Sequence, residues 1–274
     1  MWFLLGAPWD CSGTGRGEER APDALREAGL SRLVDADLGD AATAITSTER
    51  DPATGVRALP QTMAAARALA AALGTGRADR PRHRPLVVGG DCSLLLGVFA
   101  HLRAAVGDVG LWMADGHPDY VDPADSDTGE TADSELAVLT GLGPAALTGL
   151  AGTTPMVDAG RVSLIGHRTT GLDPASAAEL ARVPAGMLTL DADPGRPMWL
   201  HLDVDVLDPS VMPAVTYPQP GGPGFEQLEA RLRPLAAAPD LIGVSIADYR
   251  PDLDPDGVHA AALVRLLGRL LAPA

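Results

Sequence analysis

The sequence predicts an α/β fold of three layers, with helices on both faces of a parallel sheet. Short apolar runs, each followed by polar or Gly-rich residues, recur along the 274-residue chain. Longer stretches of helical pattern lie between them. Hydrophobic residues make up 46% of the chain, enough for a sizeable core. Short, nearly continuous apolar runs mark strands buried on both faces. Their alternation with helices marks a doubly wound sheet.

In chain order, Trp2–Leu5 is the first predicted strand. Pro60–Leu73 follows as an Ala-rich helix, expected to stop at Gly74, a residue type suited to a C-cap. Leu86–Val88 is the next strand, and Ser93 suits the N-cap of a helix over Ser93–Val106. Val109–Met113 is a strand. Ser134–Leu150 is helical in parts, and Gly141, Gly143 and Pro144 are expected to break it in two. Strand Val162–Ile165, helix Pro174–Val183, strand Trp199–Val204, helix Phe225–Ala238, strand Leu241–Ile246 and helix Val258–Leu271 complete the pattern. Asp122–Thr131 reads as a loop, and so does Tyr217–Gly224 with Pro218, Pro220, Gly221, Gly222 and Pro223. No repeat or linker divides the chain, so a single domain over residues 1–274 is expected.

Twenty-one Lys and Arg against 36 Asp and Glu leave a formal net charge of −15. That balance argues against nucleic acid or an anionic membrane as partner, and favours a small cationic or metal-bound one. Two cysteines exclude a disulfide scaffold and suit a reducing cytoplasm. Met1–Gly6 is apolar, but it is too short for a signal peptide and has no basic lead. No run approaches the roughly 20 apolar residues of a membrane helix.

The chemistry concentrates where the strands end, which is where open parallel sheets bind ligands. Gly89-Gly90-Asp91-Cys92-Ser93 follows one strand and Asp115-Gly116-His117-Pro118-Asp119 another. Asp203-Val204-Asp205 closes a third, ahead of Asp208-Pro209, and Asp248-Tyr249-Arg250 follows the last. Alternate residues of an extended segment share a side, so Asp115, His117 and Asp119 are expected to converge with Asp203 and Asp205. Four carboxylates cannot share a dry site as free anions. A pair of divalent cations removes the conflict, and hard carboxylates with a single imidazole suit Mn²⁺ or Mg²⁺ better than Zn²⁺. Two metals roughly 3.5–4 Å apart can hold and activate a water nucleophile. A lone Asp-x-Asp is usually a turn or cap, and Asp208-Pro209 is expected to be one. Two such motifs on one sheet edge favour a metal site.

These four clusters together resemble the arginase/agmatinase (ureohydrolase) family. Its pattern runs Gly-Gly-Asp-His-Ser, Asp-Ala-His-x-Asp, Ser-x-Asp-x-Asp-x-x-Asp-Pro and then a late Glu. The matches span Gly89 to Pro251 in that order. The resemblance implies a three-layer fold and a centre of two Mn²⁺ that hydrolyses a guanidino substrate. It implies Asp115 and Asp203 as bridging ligands, Asp119 on the first metal, and His117 and Asp205 on the second. Cys92 stands where the family has its first His ligand, and a thiol beside a divalent metal can ligate as thiolate. Asp248 stands where the family's Glu receives the guanidinium. Thr128, Gly129, Glu130, Thr131 and Ala132 match a Ser-Gly-Asn-x-His stretch. Thr128 and Glu130 thereby keep polar groups for the substrate's amino-acid end, whereas Ala132 lacks the proton-shuttling imidazole.

Asp248 is one methylene shorter than Glu, which withdraws its carboxylate by about 1.5 Å. His167 is weighed as a replacement for the missing His. His201 is expected to be a satisfied core histidine and Cys11 an inert thiol. Together these departures resemble the branch of the family that cleaves Nω-hydroxy-L-arginine to hydroxyurea and L-ornithine in D-cycloserine biosynthesis. An ordinary ureohydrolase acting on arginine, agmatine or a guanidino acid is the second reading. A degenerate scaffold that binds without turnover is the third. The chain ends soon after its last helix, so a monomer is expected, with a homo-oligomer as the alternative.

Overall fold

The computed structural model describes residues 1–189 and 196–272. Seven strands pair into one sheet: β1 (Trp2–Ala7), β2 (Ala36–Asp40), β3 (Arg84–Gly89), β4 (Gly110–Ala114), β5 (Val162–Ile165), β6 (Met198–Asp203) and β7 (Leu241–Ala247). Every pairing is parallel, in the order β2-β1-β3-β7-β6-β4-β5. Parallel strands need crossover segments, and helices supply them. These are α1 (Ala21–Glu27), α2 (Leu59–Asp79), α3 (Leu94–Ala105), α4 (Glu135–Leu139), α5 (Ala145–Thr148), α6 (Pro174–Leu180), α7 (Phe225–Ala236) and α8 (Val258–Leu271).

Strand side chains alternate between the faces, so the sheet has two cores. Phe3, Leu5, Val87, Leu111, Met113 and Trp199 pack on one face against α2, α3, α4 and α5. Leu4, Leu86, Val88, Leu200, Leu202, Val244 and Ile246 pack on the other against α1, α7 and α8. The result is the three-layer α/β/α arrangement expected from the sequence.

All six predicted strands form, and α8 keeps its predicted bounds. The structure differs from the sequence reading at four places. The edge strand β2 was not predicted, because Asp37, Gly39 and Asp40 face solvent and break the apolar pattern. The short helix α1 was also missed. Helix α2 runs past Gly74 to Asp79, because Gly76 lets it press onto the sheet. A Cβ there would lie 2.9–3.0 Å from Leu38 and Phe3. Ser93 sits at the N-cap of α3, but its side chain makes no capping bond. Its hydroxyl instead accepts from Trp9 Nε1 at 2.9 Å and donates to Asp91. The Ser134–Leu150 stretch divides into α4 and α5 as expected.

The four central strands β3, β7, β6 and β4 are those whose C-terminal ends carry the polar clusters. Their register levels those ends. Ala114 pairs with Leu202, Asp203 with Ala247, and Val88 with Ile246.

Candidate active site

Cys92 lies in the turn between β3 and α3, with no solvent exposure. Gly90 allows this turn to meet the chain leaving β1, since a Cβ at Gly90 would overlap the carbonyl of Trp9. The Gly90 carbonyl also accepts from Asp248 N at 2.7 Å, fixing β7's end beside Cys92. The Cys92 Sγ is 3.0 Å from His201 Nε2, Asp203 Oδ2 and Asp248 Oδ2. One S–H can serve only one of them.

His201 is fully buried and both its ring nitrogens have partners, as expected of a core histidine. Its role is more specific than packing. Trp199 Nε1 donates to Ser245 Oγ at 2.8 Å, leaving that hydroxyl's own hydrogen for His201 Nδ1 at 2.7 Å. This donor order, assigned from the hydrogen-bond chain, aims Nε2–H at the sulfur, where it supports a thiolate. Burial pushes the imidazole down to about 3, so it stays neutral.

Asp115 follows β4. Its Oδ1 accepts from His117 N at 2.7 Å, which curls the segment. Asp119 adopts a left-handed backbone (φ 48°), and so does Asp248 (φ 67°). Such conformations cost on the order of 1–3 kcal/mol and gather at functional sites, with Asp among the more tolerant residues. Asp203 ends β6 and Val204–Val206 form a 3₁₀ turn, in which Asp203 Oδ1 accepts from Asp205 N at 2.6 Å. The acids therefore converge through tight turns and left-handed residues, not through the extended alternation predicted from the sequence.

The structure brings all six predicted ligands together. Asp115, His117 and Asp205 form one group whose ligand atoms lie within 4.8 Å of one another. Cys92, Asp203 and Asp248 form a second, and Cys92, Asp115, Asp119 and Glu135 a third. Asp248 thus lies within the same cluster and does not stand apart from it.

Burial, then the neighbouring carboxylates, raises the carboxyl groups of Asp115, Asp119 and Asp203 above their ordinary range. Burial and then Asp203 raise the Cys92 thiol. His117 feels burial in the opposite sense, but Asp205, 2.8 Å from Nδ1, overrides it and lifts the imidazole to about 9. Such a site, left to itself, takes up protons. Asp115 Oδ2 and both carboxyl oxygens of Glu135 are buried with no hydrogen-bond partner. Unpartnered buried acceptors, several carboxylates, a thiol and an imidazole form a donor set that fits two divalent cations.

A cavity of about 170 Å³ opens above the acids, lined by Asp119, Thr128, Glu130, Ala132, Asp203 and Asp248 among others. It is smaller than the ~300–1,000 Å³ of drug-sized sites and suits a small metabolite. Thr128 Oγ1 donates to Asp133 Oδ2 at 2.7 Å and accepts from Glu130 N at 3.0 Å. Ala132 contributes a methyl group to the wall. His167 does not replace the missing imidazole, because it lines a separate cleft with Arg168 and Arg231. Cys11 is a buried free thiol. Asp208 is the turn former expected, accepting from Ser210 N and Oγ at 3.0 and 2.6 Å.

Arg16, Tyr217, Glu179 and Glu135 were not singled out from the sequence. Arg16 enters the cavity from the loop after β1, pairs with both oxygens of Glu130 at 3.2 and 2.8 Å, and lies over the Tyr217 ring. The strand-end rule, applied also to β1, would have found it. Among the described residues, no helix is long and apolar enough to cross a membrane.

Known proteins resemble this chain over nearly its whole length. A family model described as the arginase family matches residues 2–272. An arginase from Bacillus caldovelox is 29% identical, over 97% of this chain and 96% of the relative. An arginase from Brevibacillus brevis is 28% identical, over 96% and 95%. The crystal structure of the Bacillus caldovelox arginase superposes with a TM-score of 0.83 at 28% identity, covering 99% of this chain and 98% of that one.

Proposed function

The chain belongs to the arginase family, and from that premise we propose that it hydrolyses Nω-hydroxy-L-arginine to hydroxyurea and L-ornithine. Members of the family are metal-dependent amidinohydrolases acting on guanidino groups, and so is this chain. The finer reading is a single-domain cytoplasmic enzyme with two Mn²⁺, serving antibiotic biosynthesis of the D-cycloserine type.

The observation that carries the substrate choice is Ala132. It lines the cavity where the family resemblance expects a proton-carrying His. Among the described residues lining the cavity, the one imidazole is His117, which is engaged with Asp205. General acid–base help is worth ~10²–10⁴-fold, so an arginine hydrolase without it is handicapped. A hydroxyl on the guanidine lowers its basicity and supplies a group that relays a proton. The shorter Asp248 leaves room for the extra oxygen.

Asp115 and Asp203 would be shared between the metals, with Cys92 and Asp119 on one and His117 and Asp205 on the other. Predominantly carboxylate ligands favour Mn²⁺. When bound, the two cations supply Lewis-acid polarisation and a lowered water pKa. The chain's own residues do the rest. Asp119 orients the attacking water. Asp248 faces the guanidine and balances its positive charge. Glu130 and Arg16 at the mouth offer opposite charges to the substrate's ammonium and carboxylate. Water adds its oxygen to the guanidino carbon, the bond to the ornithine nitrogen breaks, and that nitrogen takes a proton.

An assay of ornithine release by Mn²⁺-loaded protein, run on the hydroxylated and the ordinary amino acid separately, tests the proposal. Turnover confined to Nω-hydroxy-L-arginine is expected. Preference for L-arginine returns the protein to ordinary ureohydrolase chemistry. Silence on both, with fewer than two metals per chain, favours the non-catalytic scaffold.

A further inference from the structure

Glu135 opens α4 and has no solvent exposure. Its ligand atoms share a group with those of Cys92, Asp115 and Asp119, all within 4.8 Å of one another. The carboxyl of Glu135 faces that of Asp119. Two ionised carboxyl groups offer each other no donor, and both Glu135 oxygens are left without a hydrogen-bond partner. Asp115 Oδ2, in the same group, is also without one. A buried carboxylate with no partner is costly, and such groups are either protonated or bound to a cation. No His belongs to this group.

We propose that Glu135 is a ligand of the first metal, compensating for the imidazole that Cys92 replaces. The position fits the donor set. Cys92 is pulled three ways, toward His201, Asp203 and Asp248. A further hard oxygen from α4 completes the first-metal side with Cys92, Asp115 and Asp119. It also makes this side oxygen-rich despite the sulfur, which favours Mn²⁺ over Zn²⁺. The inference rests on the dinuclear reading above.

The competing account is that Glu135 is a neutral acid donating to Asp119. Glu135→Gln separates the two, because the amide still donates to Asp119 but carries no anionic oxygen. The readouts are manganese content after dialysis at fixed free Mn²⁺, and the Mn²⁺ electron paramagnetic resonance spectrum. The wild type is expected to hold two ions in a spin-coupled pair. Glu135→Gln is expected to bind one of them about ten-fold or more weakly, and to show the six-line signal of an isolated ion. Thermal melting of the metal-free proteins verifies that the variant folds. Should it not fold, Glu135→Asp takes its place, with its oxygens drawn back about 1.5 Å and the same loss expected. Two ions with unchanged affinity and coupling in the folded variant overturn the role of Glu135 alone. A wild type that retains no manganese overturns the dinuclear reading itself.

Discussion

At the scale of single residues, Cys92 and Ala132 hold the most information. Cys92→Ser is expected to lower manganese occupancy and turnover together, because a serine hydroxyl is a far poorer anionic ligand than a thiolate. Elemental analysis showing unchanged metal in that variant would remove Cys92 from the ligand set. Ala132→His is expected to bring some L-arginine hydrolysis, within the ~10²–10⁴-fold range of general acid–base help. No gain would shift substrate choice to Asp248. Arg16→Lys keeps the charge but loses the paired contacts to Glu130. It is expected to raise KM for the amino-acid substrate more than it lowers kcat. An unchanged KM in steady-state assays would take Arg16 out of substrate binding. The predicted ligand residues were legible in the sequence because each lies at or just after a strand end. Glu135 was not, because only the packing of α4 beside Cys92 and Asp119 reveals it.

At the scale of elements, tight turns set the positions of the acids. The turn at Asp208 ties the end of β6 to the Pro- and Gly-rich loop through Gly221 N, which donates to Asp208 Oδ2 at 2.8 Å. Hydrogen bonds from Ser210 and then Gly221 bring the Asp208 carboxyl down to about 2, from an ordinary 3.8. A lowered folded-state value stabilises the fold above pH 3.8, and that contribution disappears as pH falls through about 2. Asp208→Ala is therefore expected to melt below the wild type at pH 7, with the gap closing near pH 2. A gap independent of pH in thermal scans would contradict this. The buried strands were legible because they are apolar on both faces. Edge strand β2 was not, since three of its five residues face water, and the end of α2 was decided by the contacts of Gly76 with Phe3 and Leu38. The convergence of the acids was foreseen, but its cause was not. Period-two alternation cannot reveal the left-handed Asp119 and Asp248.

At the scale of the whole molecule, the four central strands deliver acids from separate parts of the chain to one dry place. Burial and mutual repulsion push most of these acids toward protonation. Ligand binding to the folded state alone stabilises by about 2.7 kcal/mol at a hundred times Kd. Manganese is therefore expected to raise the melting temperature and a chelator to lower it, read by calorimetry. That the sheet is parallel follows from the alternating elements, but its strand order, with β7 between β3 and β6, required the structure. Substrate choice turns on whether the hydroxylated guanidine is preferred. The most direct measurement is a competition, with equal Nω-hydroxy-L-arginine and L-arginine in one tube of Mn²⁺-loaded protein and mass spectrometry of hydroxyurea against urea. That ratio reads the ratio of kcat/KM, and about ten-fold corresponds to ~1.4 kcal/mol of transition-state preference. Hydroxyurea in excess by about ten-fold or more is predicted. Urea in equal or greater amount would contradict the account.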